Sequence, residues 1–284
     1  MVQKILALLD VSNFIFRAFH AVNPTLFKRS DGLYTNAVHG VINILLKIRK
    51  ELEPNDVTFV ACMDSPKRLD RREILEDYKQ QRPPLPDGLK HQFEWVREAF
   101  QMLDIQIYVK PGYEADDIMA TLANKYNTQF DETLLVTTDK DMLQLLTMKN
   151  VFVYNPQTHK YIYEEDVFEK YSVTPEQFTT YQSLIGDKVD NIPGIKGIGP
   201  KRAVQIINEA KNMDEILKLA FDKKLVNKVA PHIDQLTQNM ELVTLNTEVD
   251  IEDLDTLPFT NASKPAFIDF LSRLELQALT KRLK

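Results

Sequence analysis

The sequence predicts an α/β protein: an open, mostly parallel sheet flanked by helices, followed by a helical region. Three observations predict it. Short apolar runs alternate with segments of helical periodicity through the first half of the chain. Three of those runs lead into an aspartate, Asp10, Asp64 or Asp139. From about Glu176 onward, strand signals become scarce.

The elements follow in chain order. Lys4–Leu9 (KILALL), Val57–Met63 (VTFVACM) and Thr133–Val136 (TLLV) are short and rich in Val, Leu, Ile or Phe, as strands buried on both faces are. Ile105–Val109 and Val151–Tyr154 read as two further strands. Asn36–Lys50 places Val38, Val41, Ile42, Leu45 and Ile48 along one helical stripe, and Phe93–Leu103 and Ala115–Tyr126 read similarly. In such sheets ligands bind beyond the carboxyl ends of the strands, where Asp10, Asp64 and Asp139 would sit.

Composition narrows the class. The 284 residues are 44% hydrophobic and 27% charged, which excludes a disordered tail, a collagen-like fibre and a coiled coil. No run of about 18 apolar residues exists to span a membrane. The N-terminal apolar run is short and ends at a carboxylate, so no export signal is expected. A single cysteine, Cys62, permits no internal disulfide, and a reducing, cytoplasmic setting is expected. The net charge of −6 argues against a simple cationic nucleic-acid binder. Setting aside nine candidate ligand carboxylates leaves 35 bases against 32 acids.

Those nine lie in five segments. Asp10 and Asp64 follow strands. Glu114, Asp116 and Asp117 open a helix, where capping and the helix dipole also favour acids, although three in four positions exceed that need. Asp139 and Asp141 follow a strand, and Asp139 alone reads equally as an N-cap. Asp187 and Asp190 precede Pro193-Gly194, which is also turn chemistry. Like charges do not converge uncompensated. Hard oxygen donors suit Mg²⁺ or Mn²⁺. Two ions about 3.5–4 Å apart would support in-line attack on a phosphodiester without a histidine or lysine base. The five histidines show no ligand spacing.

Two segments are net basic. Pro66–Pro86 carries six bases against four acids, and Ile192–Lys228 eight against four. The first reads as a solvated helix face, or, through Tyr78 beside Lys79 and Arg82, as a single-strand channel. Phe14, Phe16 and Phe19 read as core, while Arg17 among them is a better phosphate ligand. In the second, Ile192–Lys201 (IPGIKGIGPK) reads as a hairpin leading into a helix N-terminus. Gly194, Gly197 and Gly199 would let backbone approach a phosphate, with Lys196, Lys201 and Arg202 adding charge.

LLDVSNFIFRAFHA, MDSP with DRREILEDYKQQRPPLP, GYEADD, TTDKDM and GDKVDNIPGIKGIGPKRA occur in one order, from Leu8 to about Ile207. This chain resembles the structure-specific 5′-nucleases, with the 5′→3′ exonuclease domain of bacterial DNA polymerase I as its nearest likeness. The resemblance implies a PIN-like or resolvase-like nuclease core over 1–175 with a helical arch at about 66–90. It further implies a helical DNA-binding region over 176–284, with a helix-hairpin-helix at about 185–208. The nine acids match the family's metal-site acids. Asp10, Asp64, Glu114, Asp116 and Asp117 would lie closest to the scissile phosphate, and Asp139, Asp141, Asp187 and Asp190 would hold the second ion. Arg17, Arg71, Tyr78, Lys79 and Arg82 match the active-site floor and arch: Arg17, Lys79 and Arg82 as catalytic groups, Arg71 and Tyr78 as DNA contacts. Also implied are a K⁺ ion at the hairpin, DNA with 5′ flaps, nicks or 5′ ends as substrate, RNA–DNA hybrids as a further partner, and a cytoplasmic, nucleoid-associated monomer. Val11 replaces the family's common glycine after the first aspartate. A PIN-type ribonuclease and a non-catalytic DNA-structure binder stay open as alternatives.

Overall fold

The computed structural model describes residues 2–66, 69–219, 228–255 and 264–283. Its centre is a six-stranded sheet of order β3-β2-β1-β4-β5-β6. The strands are β1 (Lys4–Asp10), β2 (Asp56–Cys62), β3 (Gln106–Tyr108), β4 (Glu132–Val136), β5 (Val151–Asn155) and β6 (Lys160–Ile162). The first five are mutually parallel, and β6 runs antiparallel to β5. All five strands read from the sequence are present. The sixth was not read: three residues at an edge carry too little pattern.

The helices are α1 (Val11–Ala21), α2 (Asn36–Glu51), α3 (Arg71–Ile74), α4 (Lys90–Met102), α5 (Ala115–Tyr126), α6 (Glu164–Tyr171), α7 (Pro175–Ile185), α8 (Pro200–Ala210), α9 (Met213–Leu219), α10 (Ile233–Val243), α11 (Pro265–Arg273) and α12 (Gln277–Leu283). A 3₁₀ helix, Lys140–Thr147, follows β4.

Both sheet faces are covered, so β1 is apolar from Ile5 through Leu9 rather than alternating. Leu6 and Leu8 point to one face with Val60, Leu135 and α5. Ile5, Ala7 and Leu9 point to the other, under α1, α2 and α4. The helical region is built onto the first face, where Phe178, Leu184, Ala203, Ile206, Ile207 and Leu236 join the α5 core. The chain then returns to the second face, where Phe267, Phe270 and Leu271 of α11 pack.

Two features position the site. Between β2 and α4, only Arg71–Ile74 is helical among the described residues. The segment expected as a helical arch therefore runs mostly as turns, because Pro83, Pro84, Pro86 and Gly88 oppose helix continuation. Lys67 and Arg68 of the basic stretch lie outside the described residues, as do Lys223 and Lys224 of the second. Between α7 and α8 an antiparallel bridge joins Asp187 to Ile192, closing the turn just ahead of the Ile192–Lys201 segment.

Candidate active site

The acids gather because four adjacent strands deliver them to one edge. Asp10 ends β1, Asp64 follows β2, the Glu114–Asp117 turn follows β3, and Asp139 follows β4. The 187–190 turn joins them from α7.

Each acid is held locally. Asp10 caps α1, accepting from Asn13 N at 3.1 Å, and Thr137 Oγ1 donates to its Oδ2 at 2.7 Å. Asp64 accepts from Ala115 N at 2.9 Å, while Ser12 Oγ accepts from Asp64 N at 2.9 Å. Glu114 and Asp117 form a capping box on α5. Asp139 caps the 3₁₀ helix and accepts from Asp141 N at 3.0 Å. Capping and convergence are thus compatible: each cap leaves carboxylate oxygen for other partners.

Basic side chains thread this acid cluster. Arg71 makes a fork onto Asp117, at 2.8 and 2.7 Å, and reaches Glu114 Oε2 at 2.9 Å. Asp116 lies 3.8 Å from the same guanidinium. Lys79 Nζ pairs with Glu114 and lies 3.5 Å from Asp190. Arg82 pairs with Asp190 at 2.9 Å, and Lys140 with Asp187 at 2.7 Å. Lys79 takes a left-handed backbone (φ 55), held by its N–H donating to the Asp190 carbonyl at 3.0 Å. In this arrangement no three carboxylates among the described residues stand ready around a single ion. The arch cations lie between them instead.

Electrostatics divides the acids into two kinds. Burial, with Asp64 and Asp139 nearby, pushes Asp10 up to about 7. Burial and Asp139 push Asp141 up to about 7. Burial also raises Asp64, with Glu114 adding to it, and raises Asp116 well above the usual carboxylate range beside Asp117 and Glu114. Glu114 behaves oppositely: burial would raise it, but Lys79 and Arg71 outweigh that and hold it at about 2. Lys140 similarly overcomes burial to lower Asp187. Asp10, Asp64, Asp116 and Asp141 therefore hold their protons more tightly than ordinary carboxyls, because the protein's own cations do not offset burial and the acid neighbours. A donor set made only of carboxylate oxygens fits a hard divalent cation.

Some expected residues stand elsewhere than the sequence suggested. Tyr78 is 2% exposed, packed with Ile192, Leu242 and Val243, and donates its hydroxyl to Glu114 Oε2 at 2.8 Å. It offers no ring face to solvent, because residues far along the chain cover it. Arg71 is turned inward onto the acids. Arg17 is half-buried on α1 and makes no ion pair among the described residues. Phe16, read as core, is 38% exposed and packs edge-on against Phe93 at 5.9 Å. Both rings line a cavity of about 850 Å³ that Asp64, Glu114, Lys79 and Arg82 also border.

Sequence reading missed three partners. Lys140 sits inside the quoted TTDKDM, where only the acids drew notice. Thr137 donates to Asp10 and accepts from Asp139 N at 3.0 Å. Gln182 on α7 donates to Asp141 Oδ1 at 2.5 Å, and nothing local in the sequence could reveal that.

Two glycines, Gly186 and Gly194, are required by the close backbone approach at the turn between α7 and α8. Gly186 has φ +70, and a Cβ there would stand 2.3 Å from Gly194 N; one at Gly194 would stand 2.2 Å from Ile185 O. Gly199 caps α8 with no side-chain hydrogen bond, and a Cβ on it would meet nothing within 4 Å. Lys196 and Lys201 are exposed. Arg202 donates to the Gly197 carbonyl.

The family model described as 5′-3′ exonuclease, N-terminal resolvase-like domain matches residues 5–172. That described as 5′-3′ exonuclease, C-terminal SAM fold matches residues 173–265. The 5′-3′ exonuclease of Aquifex aeolicus (strain VF5) is 35% identical over 99% of this chain and 96% of its own length. DNA polymerase I of Rhizobium leguminosarum is 37% identical over 98% of this chain, which spans 28% of that polymerase. Among solved structures, the phage T5 D15 protein co-crystallised with metal ions superposes with a TM-score of 0.68 at 22% identity, covering 99% of this chain and 97% of that one. The catalytic core of Rad2 in complex with DNA substrate gives 0.61 at 17% identity, covering 100% and 93%. The two structures are alike in fold, and the family models and sequence relatives carry the assignment: the chain belongs to the 5′-3′ exonuclease family.

Proposed function

We propose that this chain is a divalent-metal-dependent 5′-nuclease. It would act as a 5′→3′ exonuclease and 5′-flap endonuclease on branched or 5′-ended DNA and on RNA primer strands paired to DNA. The observation that carries the reading is the set of carboxylates that adjacent strands deliver to one sheet edge, of which Asp64 and Glu114 border a cavity that Lys79 and Arg82 also line. In hydrolysis, water oxygen bonds to phosphorus and the P–O3′ bond breaks, leaving a 5′-phosphate and a 3′-hydroxyl.

Mg²⁺ or Mn²⁺, two ions per site, would activate that water and stabilise the departing 3′ oxygen. Asp10, Asp64, Glu114, Asp116 and Asp117 would hold one ion, and Asp139, Asp141, Asp187 and Asp190 the other. Lys79 and Arg82 are paired with Glu114 and Asp190. Cations taken up by those acids would free both side chains for phosphate oxygens. Arg17 has no acid partner among the described residues and is free to take a phosphate. Arg71 would serve DNA through the placement of Asp117 and Glu114, and Tyr78 through its bond to Glu114.

Residues 1–175 would form the nuclease core and 176–284 the DNA-holding region. Gly194, Gly197 and Gly199, with Lys196, Lys201 and Arg202, would grip duplex backbone through free N–H groups and charge, with K⁺ completing the hairpin site. The protein would work as a cytoplasmic, nucleoid-associated monomer. Among the described residues no helix is long and apolar enough to cross a membrane.

The test is cleavage of a 5′-flap duplex in Mg²⁺, in EDTA, and by Asp116→Ala. Cutting is expected only by the unmodified protein in Mg²⁺. Undiminished cutting by the variant ends the metal-site assignment. Preference for unstructured RNA would favour a PIN-type ribonuclease, and metal-independent binding without cleavage a structural binder.

A further inference from the structure

Helix α10 lies in the part of the chain with the weakest sequence signals, yet it touches both halves of the site. Gln235 Nε2 donates to the carbonyls of Pro193 and Gly194 at 3.0 and 3.3 Å. Asn239 Nδ2 donates to Ser183 and Pro193 carbonyls at 2.9 and 2.7 Å. Asn239 is fully buried, and its Oδ1 has no partner among the described residues, so this side chain is placed for its donors. Three of those bonds fix the turn of the hairpin, and the one to Ser183 ties it to the end of α7. On the neighbouring face of the same helix, Gln238 Nε2 donates to the carbonyl of Ile74 at 2.8 Å. Ile74 ends α3, whose Arg71 holds Glu114 and Asp117.

The contacts are continuous beyond those amides. Leu242 and Val243 pack on Tyr78 and Ile192, and also on Ile74 and Leu75. Past the helix end, Asn246 N donates to Asp117 Oδ1 at 2.9 Å and Gln144 Nε2 to the Val243 carbonyl at 3.1 Å. An amide bonded to a backbone carbonyl fixes where the chain runs, whatever side chain the carbonyl residue bears.

We propose that α10 is a strut holding the hairpin and the arch in one frame, with Gln238 as the positioning residue at its arch end. This rests on the nuclease reading above. A duplex seated on the hairpin would then set where Lys79 and Arg82 stand over the acids. Gln235 and Asn239 serve the hairpin end.

The variants are Gln238→Met, Gln235→Met and the pair together. Both glutamines are half-buried, and methionine keeps their length while removing the donor. Gln106→Met is the control, since Gln106 also bonds backbone, at Asp253 and Asp255, away from the acids. On a 5′-flap duplex, Gln238→Met is expected to lower the single-turnover rate at saturating enzyme by about 3- to 10-fold, the worth of one hydrogen bond. Its duplex affinity, read by anisotropy in EDTA, should stay within about twofold of the unmodified protein. Gln235→Met should instead weaken duplex binding. In the double variant the rate penalty of Gln238→Met should shrink, since a strut released at one end transmits nothing from the other. Trypsin in EDTA should cut segment 71–82 faster in Gln238→Met than in the control. Equal rates for Gln238→Met and Gln106→Met, or strictly additive penalties in the double variant, overturn the strut. If the unmodified protein cuts no flap, the nuclease reading fails, and the trypsin pattern still decides whether α10 holds the arch.

Discussion

Replacing Asp10 with asparagine should make the metal-free protein more stable while abolishing its chemistry. Asp10 is 8% exposed, and burial beside Asp64 and Asp139 moves its carboxyl from 3.8 to about 7. That difference corresponds to about 4 kcal/mol of destabilisation once the group is fully ionised. Asparagine keeps an oxygen for Asn13 N but meets Thr137 less well than a carboxylate does, which costs about 1–1.5 kcal/mol. A net gain of about 2–3 kcal/mol remains, or roughly 5–10 °C in Tm for a chain of this size. The sign follows from linkage. Below 3.8 both states hold the proton and the variant gains nothing. Between 3.8 and about 7 the unfolded chain releases the proton while the folded one keeps it, so stability of the unmodified protein falls as pH rises. Above about 7 the deficit is complete. Melts in EDTA from about pH 4 to about pH 8.5 should therefore show the two proteins together at the acid end and diverging towards neutrality. Mg²⁺ at about a thousandfold excess over Kd should reverse the order, because the unmodified protein, with Asp10 as a ligand, regains about 4.1 kcal/mol. A variant that melts below the unmodified protein at about pH 8 in EDTA, or a difference that does not change with pH, would refute the reasoning.

Three further outcomes follow from the same geometry. Glu114, held at about 2 by Lys79 and Arg71, contributes stability that is present above 4.5 and lost as pH falls towards 2; Glu114→Gln should flatten that acid limb in the same melts. Lys140→Met should bind Mn²⁺ about 3- to 10-fold more tightly by calorimetry, because it removes an ammonium 2.7 Å from Asp187, and should melt lower in EDTA. Gly186→Ala should destabilise by about 2 kcal/mol or more, since its φ is +70 and backbone stands 2.3 Å from the added Cβ. Gly199→Ala should leave Tm unchanged, and any loss of duplex affinity it causes would report close phosphate approach.

Several features were legible before folding because each depends on short-range sequence. A strand buried on both faces must be apolar throughout, so β1, β2 and β4 announced themselves, as did the aspartates at or just beyond their ends. Gly194, Gly197 and Gly199 were legible as a spaced pattern, whereas the steric demand of the turn falls on Gly186, with φ +70, and on Gly194, where backbone stands 2.2 Å from an added Cβ. Edge strand β6 was not legible, since Lys160–Ile162 alternates over too few residues to register. Tyr78 was read as a stacking platform from its neighbours Lys79 and Arg82. Its burial depends on Ile192, Leu242 and Val243, more than a hundred residues away.

What the sequence alone determined is the sheet, its acidic carboxyl edge and the hairpin, because hydrophobic periodicity, strand ends and turn chemistry are local. Tertiary structure decided which charges meet. Arg71, Lys79 and Arg82 turn into the acid cluster, Lys140 onto Asp187, and Gln182 onto Asp141. Ion pairing and burial depend on distance in space, and no spacing along the chain encodes that distance. The amides of α10 are the clearest instance, since each bonds a carbonyl that sequence places at least 41 positions away.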